Sequence, residues 1–231
     1  MNLYFLLEGK RTEPKIYPKW LSHLLPNYSR VSSLNDLKNN NYFMISGNGY
    51  PSILNHIENS LTDLQKFRNI DYLIISVDCD EDTPDKRLLK VRKKIDEFKN
   101  EIDEEKVQIV LQNRCIETWL LGNRKIFAHK PKDNDLKKYI SHYNVNENDP
   151  EQMQKYSGFN TTSQFHIAYL KKTLNEKNIS YTKNNPSDTA ETYYLEQLIN
   201  RVKETNHLNS FKSFLEVIDL FKDTTYNLNV R

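Results

Sequence analysis

The sequence predicts an α/β fold, with a parallel sheet of about four strands, helices on both faces of the sheet, and a C-terminal helical extension. Short apolar runs of strand length recur in the first half of the chain, and helix-like segments separate them. Such alternation is typical of parallel sheets joined by crossover helices. After about residue 130 the chain becomes polar and Asn-rich. We therefore expect a first domain over residues 1–128 and the helical extension over residues 129–231.

The four predicted strands are almost continuously apolar, as strands buried on both faces of a parallel sheet require. They span residues 3–7, 42–45, 72–77 and 107–111. Helical patterns follow at residues 14–25, 52–67, 85–102 and 116–127. Three further helix-like stretches lie in the helical extension, at residues 163–175, 187–203 and 209–221.

Composition excludes several kinds of site. The 33 basic and 31 acidic side chains leave a net charge of only +2, so a nucleic-acid contact would have to be a local patch. The two cysteines form no CxxC pair and the six histidines show no HxxxH or HExxH spacing, which argues against a zinc site. No segment approaches the roughly 20 apolar residues of a membrane helix, and the first apolar stretch is too short for a signal peptide. We expect a cytoplasmic protein with no membrane partner.

Acidic side chains follow two of the predicted strands at the point where each strand ends. Glu8 and Gly9 come directly after the first strand, and Asp78 and Asp80 after the third. Ligands collect at the carboxyl ends of parallel strands, and the i, i+2 spacing would turn both aspartates to one side. Together these carboxylates would repel one another unless a hard cation bound them. The sequence therefore predicts a site for Mg²⁺ or Mn²⁺.

Two readings of the acidic segment at residues 78–82 remain open. It could be a solvated loop that caps the next helix, or it could bind the metal with Glu8. The strand-terminal Glu-Gly favours the metal site. Lys10 and Arg11, beside Glu8, would then offer positive charge to a phosphate on the same ion.

These motifs, in this order along the chain, resemble the TOPRIM domain of topoisomerases, primases and OLD-type nucleases. The string LLEGKRTEPKIYPKWL is similar to the opening of the RloB-like branch, bacterial proteins often linked to restriction and phage-defence loci. A third string, NRCIETWLL at residues 113–121, is similar to one that RloB-like proteins carry after their fourth strand. The resemblance covers about residues 1–127 and implies a TOPRIM-like, Rossmann-like sheet.

The resemblance also implies roles for individual residues. Glu8, Asp78 and Asp80 match the metal-binding acids of the family, and Glu13 matches a second acid used by its nucleases. Glu117 is a candidate ligand, or else a first-turn glutamate that favours the helix dipole. Asp82 completes a DxDxD pattern, which would allow a second metal ion.

The predicted function is a Mg²⁺-dependent endonuclease that cleaves DNA or RNA, with tRNA among the candidates. Lys10, Arg11 or Lys86 would neutralise the charge that develops on the phosphate. By the resemblance, Glu8 could act instead as a general base, as in topoisomerases and primases. The resemblance further implies a toxic antiphage effector controlled by a partner ATPase or sensor, with a second copy of the chain as another candidate partner.

Basic side chains near the predicted site could bind a nucleic-acid backbone, although such runs also form solvated helix faces. The candidates are Arg11, Arg87, Arg92, Arg124 and Lys125. Two rival functions remain. One is a DxD glycosyl- or nucleotidyltransferase, in which the metal would hold a nucleotide diphosphate. The other is a non-catalytic binding module with the same fold.

Overall fold

A sheet of five parallel strands forms the centre of the computed structural model, which describes residues 1–98 and 100–222. The strands are β1 (Asn2–Leu7), β2 (Ser29–Arg30), β3 (Asn41–Ser46), β4 (Tyr72–Asp78) and β5 (Val107–Gln112). Their order is β2-β3-β1-β4-β5. The predicted parallel α/β sheet of the Rossmann-like class is confirmed. The additional strand is β2, whose two exposed residues at the sheet edge are too few to produce an apolar pattern.

Eight α-helices surround the sheet in the described ranges. They are α1 (Glu13–Leu24), α2 (Ser52–Lys66), α3 (Pro84–Asp96), α4 (Ile116–Leu120), α5 (Asn134–His142), α6 (Thr162–Asn175), α7 (Thr192–Glu204) and α8 (Asn209–Asp219). Over the same ranges, no helix is long and apolar enough to cross a membrane.

Several predicted helix boundaries are wrong. Helix α3 ends at Asp96 rather than at residue 102, and α4 ends at Leu120, just before Gly122. A Cβ on Gly122 would lie 2.3 Å from a methyl group of Leu208, so the chain turns where only glycine fits. Helix α5 lies in a segment too polar to show a long apolar stripe. Helix α7 begins at Thr192, because Glu191 before it is extended, with φ −77° and ψ 154°, and separates α7 from a short 3-10 turn at Ser187–Ala190.

Alternating side chains of the central strands bury into two separate cores. On β1, Leu3, Phe5 and Leu7 face the core that contains α1 and α4, whereas Tyr4 and Leu6 face α2 and α3. This alternation is the two-residue period of a strand buried on both sides. Helices on both faces of the sheet are therefore confirmed.

The helical extension shares a core with the sheet. Phe214 on α8 packs with ring centroids 5.4 Å from Tyr17 on α1 and 5.6 Å from Trp119 on α4. The same cluster contains Leu136, Phe165 and Leu195 from the helical extension. The predicted domain boundary at residue 128 stays a prediction, but residues on both sides of it bury one continuous apolar surface. Residues 223–231, the last of the predicted helical extension, lie outside the described residues.

Truncating the shared aromatic cluster should destabilise the whole chain. We expect Phe214→Ala to lower the free energy of unfolding by about 3–5 kcal/mol, because it leaves a cavity among buried rings. The control is Leu220→Ala at the end of the same helix, where the side chain is 58% exposed; its effect should stay within about 0.5 kcal/mol. Urea unfolding measures both. Equal effects of the two variants would contradict the shared core.

Candidate functional site

Strands β1 and β4 are neighbours, but the helices that follow them lie on opposite faces of the sheet. At such a reversal the carboxyl ends of the two strands open into a crevice where α/β proteins bind ligands. A cavity of about 330 Å³ lies here. Five carboxyl side chains line it, namely Glu8, Glu13, Asp78, Asp80 and Glu117. Sequence analysis named all five, and the fold brings them together from four separate segments.

Glu8 is held at the end of β1 by the neighbouring strand. Its amide donates a 2.9 Å hydrogen bond to the Ser76 carbonyl, and its Oε2 accepts one of 3.1 Å from the Asp78 amide. Only 6% of Glu8 is exposed. Burial raises the pKa of Glu8 to about 7, the charge of Asp80 adds to the rise, and Arg87 and the Asp78 amide oppose it.

Asp78 has a carboxylate oxygen that the surrounding residues leave unsatisfied. Its Oδ1 is buried and has no hydrogen-bond partner among the described residues. Burial raises the pKa of Asp78 well above its ordinary value, and the charges of Glu13, Glu8, Asp80 and Glu117 raise it further. An unpartnered carboxylate oxygen surrounded by other acids is a position that a cation would stabilise.

Gly9 explains why the Glu-Gly-x-x-x-Glu spacing brings its two acids together. The carboxylate of Glu13, at the start of α1, folds back against the Gly9 backbone, and a Cβ on Gly9 would lie 1.9 Å from Glu13 Oε2. Burial raises the pKa of Glu13 to about 7, with contributions from Glu117 and Glu8, while its own amide and Lys183 lower it. Only glycine lets this second carboxylate enter the cavity.

Glu117 reaches the cavity from the first turn of α4 and is fully buried. Its Oε1 accepts a 3.0 Å hydrogen bond from the Tyr181 hydroxyl and lies 3.8 Å from Lys183 Nζ. Its Oε2 is buried without a hydrogen-bond partner among the described residues. The sequence left two alternatives open for Glu117, a first-turn position in a helix and a place in the carboxylate cluster. In the structure Glu117 has both.

Asp80 lines the cavity but is not aligned with Asp78 by a continuing strand. Its φ of 49° is left-handed, so the extended segment ends before it. Its Oδ1 accepts a 3.0 Å hydrogen bond from the Ser163 hydroxyl on α6, and its side chain is 44% exposed. The backbone is therefore not extended through Asp80, but the two carboxylates do line the same cavity, as the i, i+2 spacing predicted.

Asp82 and Lys86 stand apart from the residues that line the cavity. Asp82 Oδ2 lies 2.5 Å from Lys90 Nζ, and its Oδ1 lies 3.4 Å from Lys86 Nζ. The hydrogen bonds from Lys90 and Lys86 lower the pKa of Asp82, and the charge of the nearby Arg87 lowers it further. Asp82, predicted as a metal ligand, and Lys86, predicted as a catalytic cation, instead pair with each other at the start of α3.

The predicted nucleic-acid contacts separate into accessible and buried residues. Arg11 and Lys10 line the cavity, whereas Arg92 and Lys125 are exposed outside its lining. Arg124 pairs with Glu204 on α7.

Arg87 does not fit the prediction of a nucleic-acid contact, because only 3% of it is exposed. Its guanidinium donates to the Cys79 carbonyl at 3.2 Å and covers the ring of Tyr50 at 4.1 Å. Through the Cys79 carbonyl, Arg87 holds in place the loop that contains Asp80.

Sequence analysis missed the part of the site that the helical extension supplies. Lys183 lines the cavity, and Tyr181 binds Glu117. Partial burial tends to lower the pKa of Lys183, but Glu117 and other nearby acids outweigh it and raise the pKa above its ordinary value. The Lys-Asn-Asn-Pro string at residues 183–186 indicates a turn, but no local signal places that turn against α1.

The carboxylates fit a divalent cation that needs few protein ligands. Over residues 1–98 and 100–222, no group of three or more Asp, Glu, His or Cys side chains is already arranged to hold a metal ion. Mg²⁺ is usually bound by one or two carboxylates, with water and substrate phosphate completing its shell. The unpartnered oxygens of Asp78 and Glu117 are suitable donors for such an ion.

Comparisons with known proteins found no similarity: no protein-family model matches the chain, and neither the curated proteins nor the solved structures give a match.

The contact between Gly9 and Glu13 can be tested by a double-mutant cycle. Gly9→Ala should lower the free energy of unfolding by about 1–3 kcal/mol, because its Cβ overlaps the Glu13 carboxylate. In a Glu13→Ala background the overlap is removed, so the same change should cost at least about 0.5 kcal/mol less. Urea unfolding of the four proteins gives the coupling. Equal costs in both backgrounds would show that Glu13 does not pack on Gly9.

Stability should fall as the pH rises through neutrality. Folding raises the pKa of Glu8 and Glu13 from 4.5 to about 7, so the folded chain binds more protons between these values. This stabilisation is complete below pH 4.5 and is lost as the pH rises through about 7. Burial lowers the pKa of His166 from 6.5 to about 4, so its opposite effect is confined to lower pH.

Urea unfolding midpoints between about pH 6.5 and about pH 8 measure this effect. In the Glu8→Gln, Glu13→Gln double variant, the midpoint should decrease less with rising pH than in the wild type. Some decrease should remain, because burial also raises the pKa of Glu151 to about 7. Glu216→Gln, which changes an exposed side chain of α8, is the matched control and should leave the decrease of the midpoint unchanged. A wild-type midpoint that rises with pH would contradict the assignment.

Proposed function

We propose that the chain is a Mg²⁺- or Mn²⁺-dependent phosphodiester hydrolase, an endonuclease with a TOPRIM-like site. The observation that carries the proposal is the convergence of Glu8, Glu13, Asp78, Asp80 and Glu117 on one cavity at the carboxyl ends of β1 and β4. Such a concentration of buried negative charge is costly unless a cation binds there. The basic residues on the same lining are suited to an anionic ligand that arrives with the metal.

Glu8 and Asp78 would hold the ion, with Asp80 at its more exposed side. Glu13 or Glu117 would assist a second ion or orient the attacking water. A bound Mg²⁺ supplies Lewis acidity to the phosphoryl oxygen and lowers the pKa of a coordinated water. Lys10 and Arg11 would bind the non-bridging phosphate oxygens and so reduce their negative charge.

The protonation states support hydrolysis near neutral pH. In the reaction a water oxygen attacks phosphorus, the bond from phosphorus to the leaving oxygen breaks, and the proton of the water must pass to a base. A carboxylate whose pKa lies near the working pH is suited to that transfer. Burial raises the pKa of both Glu8 and Glu13 to about 7. We assign the proton to Glu13, since Glu8 is held by the Asp78 amide.

The substrate and setting follow from the resemblance to RloB-like proteins. DNA or RNA, including tRNA, would be cleaved in the cytoplasm by a defence effector that a partner ATPase restrains or triggers. Support comes from the strings at residues 6–21 and 113–121. The second string contains Cys115 and Thr118, which form the start of α4, and Glu117, which reaches the cavity.

Metal-dependent cleavage tests the proposal. The purified chain should cleave plasmid DNA, single-stranded DNA or tRNA in Mg²⁺ or Mn²⁺ and should lose this activity in EDTA. Asp78→Asn and Glu8→Gln should each reduce the rate by at least about 100-fold, because each removes an oxygen that would bind the ion. Asp85→Asn, an exposed acid in the first turn of α3, is the matched control and should cleave like the wild type.

Cleavage that persists in EDTA or in both site variants would contradict the proposal. Transfer of a sugar or nucleotide from a nucleotide diphosphate, without strand cleavage, would favour the transferase. Normal biological activity of a variant with Glu8, Asp78 and Asp80 all changed to Ala would favour a binding module.

A further inference from the structure

A short turn of the helical extension forms one wall of the carboxylate cavity. Thr182 and Asn185 exchange two backbone hydrogen bonds of 3.0 Å, and the Asn185 amide also donates to the Thr182 hydroxyl at 2.9 Å. Lys183 lies between them, at the tip. The turn is therefore closed by its own hydrogen bonds and presents one basic side chain.

Contacts with the start of α1 hold this turn against the site. Lys15 Nζ donates to the Asn184 carbonyl, and the Thr12 hydroxyl approaches the Lys183 carbonyl at 3.5 Å. On the other side of the turn, buried Tyr181 is fixed by its hydrogen bond to Glu117. Lys183 is thus anchored through its backbone and its neighbours, and its side chain is left to reach the cavity.

The ammonium group of Lys183 has N–H donors that make no hydrogen bond within the described residues. It lies 3.8 Å from Glu117 Oε1, which is beyond hydrogen-bond distance, and that oxygen already accepts from Tyr181. The described residues show no hydrogen bond from Lys183 Nζ. An ammonium group has three donors, so a phosphate oxygen entering the cavity could accept from it.

The negative charge of the cavity would oppose the binding of a phosphate, and Lys183 adds a positive charge to the same lining. Five carboxylates repel a phosphodiester, and an ion that binds them offsets only part of that repulsion. Lys10 and Arg11 provide positive charge from the segment that joins β1 to α1. Lys183 provides it from a segment more than 170 residues further along the chain.

We propose that Lys183 is a substrate-binding residue that contacts a backbone phosphate of a nucleic-acid strand, so that the helical extension completes the site. The inference rests on the proposed function only in requiring that a phosphodiester enters the cavity. It assigns to the turn at residues 182–185 a part in substrate recognition.

The salt dependence of binding tests this contact without any need for cleavage. The probe is a fluorescently labelled single-stranded DNA oligonucleotide, added with Mg²⁺ to the Asp78→Asn protein and without metal to the wild type in EDTA. Fluorescence anisotropy at several salt concentrations gives the slope of log K against log salt. Lys183→Met should reduce the magnitude of the slope by about 0.7, the value for one lost phosphate contact on a single strand. It should also weaken binding at low salt by about tenfold.

Two further variants separate recognition from structure. Lys183→Arg keeps the charge and should keep the wild-type slope. Lys177→Met removes an exposed lysine after α6 and should also leave slope and affinity unchanged. Thermal unfolding of all variants shows whether each is folded. If Lys183→Met lowers the melting temperature but leaves the slope unchanged, Lys183 is only a counter-ion of Glu117, and the inference is overturned.

The outcomes also separate this inference from the proposed function. Wild-type cleavage together with an unchanged slope in Lys183→Met would reject the inference alone. A reduced slope without any wild-type cleavage would support phosphate binding and reject the hydrolase. Failure of the oligonucleotide to bind under both conditions would overturn the inference.

Discussion

Electrostatic repulsion among the buried carboxyl groups is the constraint on which the surrounding structure depends. Glu8, Glu13 and Glu117 lie almost out of solvent, as does the Oδ1 atom of Asp78, and a lone carboxylate is unfavourable there. The fold limits that cost locally, through the Asp78 amide on Glu8, the Tyr181 hydroxyl on Glu117 and the nearby ammonium of Lys183. These contacts leave Asp78 Oδ1 and Glu117 Oε2 without a hydrogen-bond partner among the described residues, and a cation bound under the proposed function would satisfy them.

The loop after β4 shows how the more exposed side of the site is positioned. Arg114 donates from its guanidinium to the carbonyls of Asp80 and Asp82, at 3.0 and 3.1 Å, and Arg87 donates to that of Cys79. Two arginines thus bind the loop by its backbone. The Asp80 carboxylate stays partly exposed, where it can meet a ligand. At the same loop, Glu81 accepts hydrogen bonds from the amide and hydroxyl of Thr162, at the start of α6.

Local patterns were enough to predict the sheet and the acids at its edge, because strand burial and strand ends are visible in neighbouring residues. Glu8 and Asp78 follow apolar runs, and parallel strands bring their carboxyl ends together. Asp82 shows where such reasoning fails, since spacing alone could not reveal its pairing with Lys86 and Lys90, about one and two helical turns further along the chain. The sequence likewise predicts that Arg87 is a surface residue of a charged helix, although the fold buries it against the ring of Tyr50. Lys183 was unpredictable because its place depends on tertiary contacts over more than 160 residues of chain.

The shared core makes the helical extension part of the site rather than an accessory to it. Phe214 and Phe165 bury against the same cluster as the residues of β1 and α1, so the extension has a fixed position on the sheet. From that position the extension donates hydrogen bonds from Ser163 to Asp80 and from Tyr181 to Glu117, and it places Lys183 in the cavity lining. Separating the two parts would expose the aromatic cluster and remove these contacts together. Any partner that altered the packing of the extension would therefore change the charge balance of the carboxylates, even without touching them.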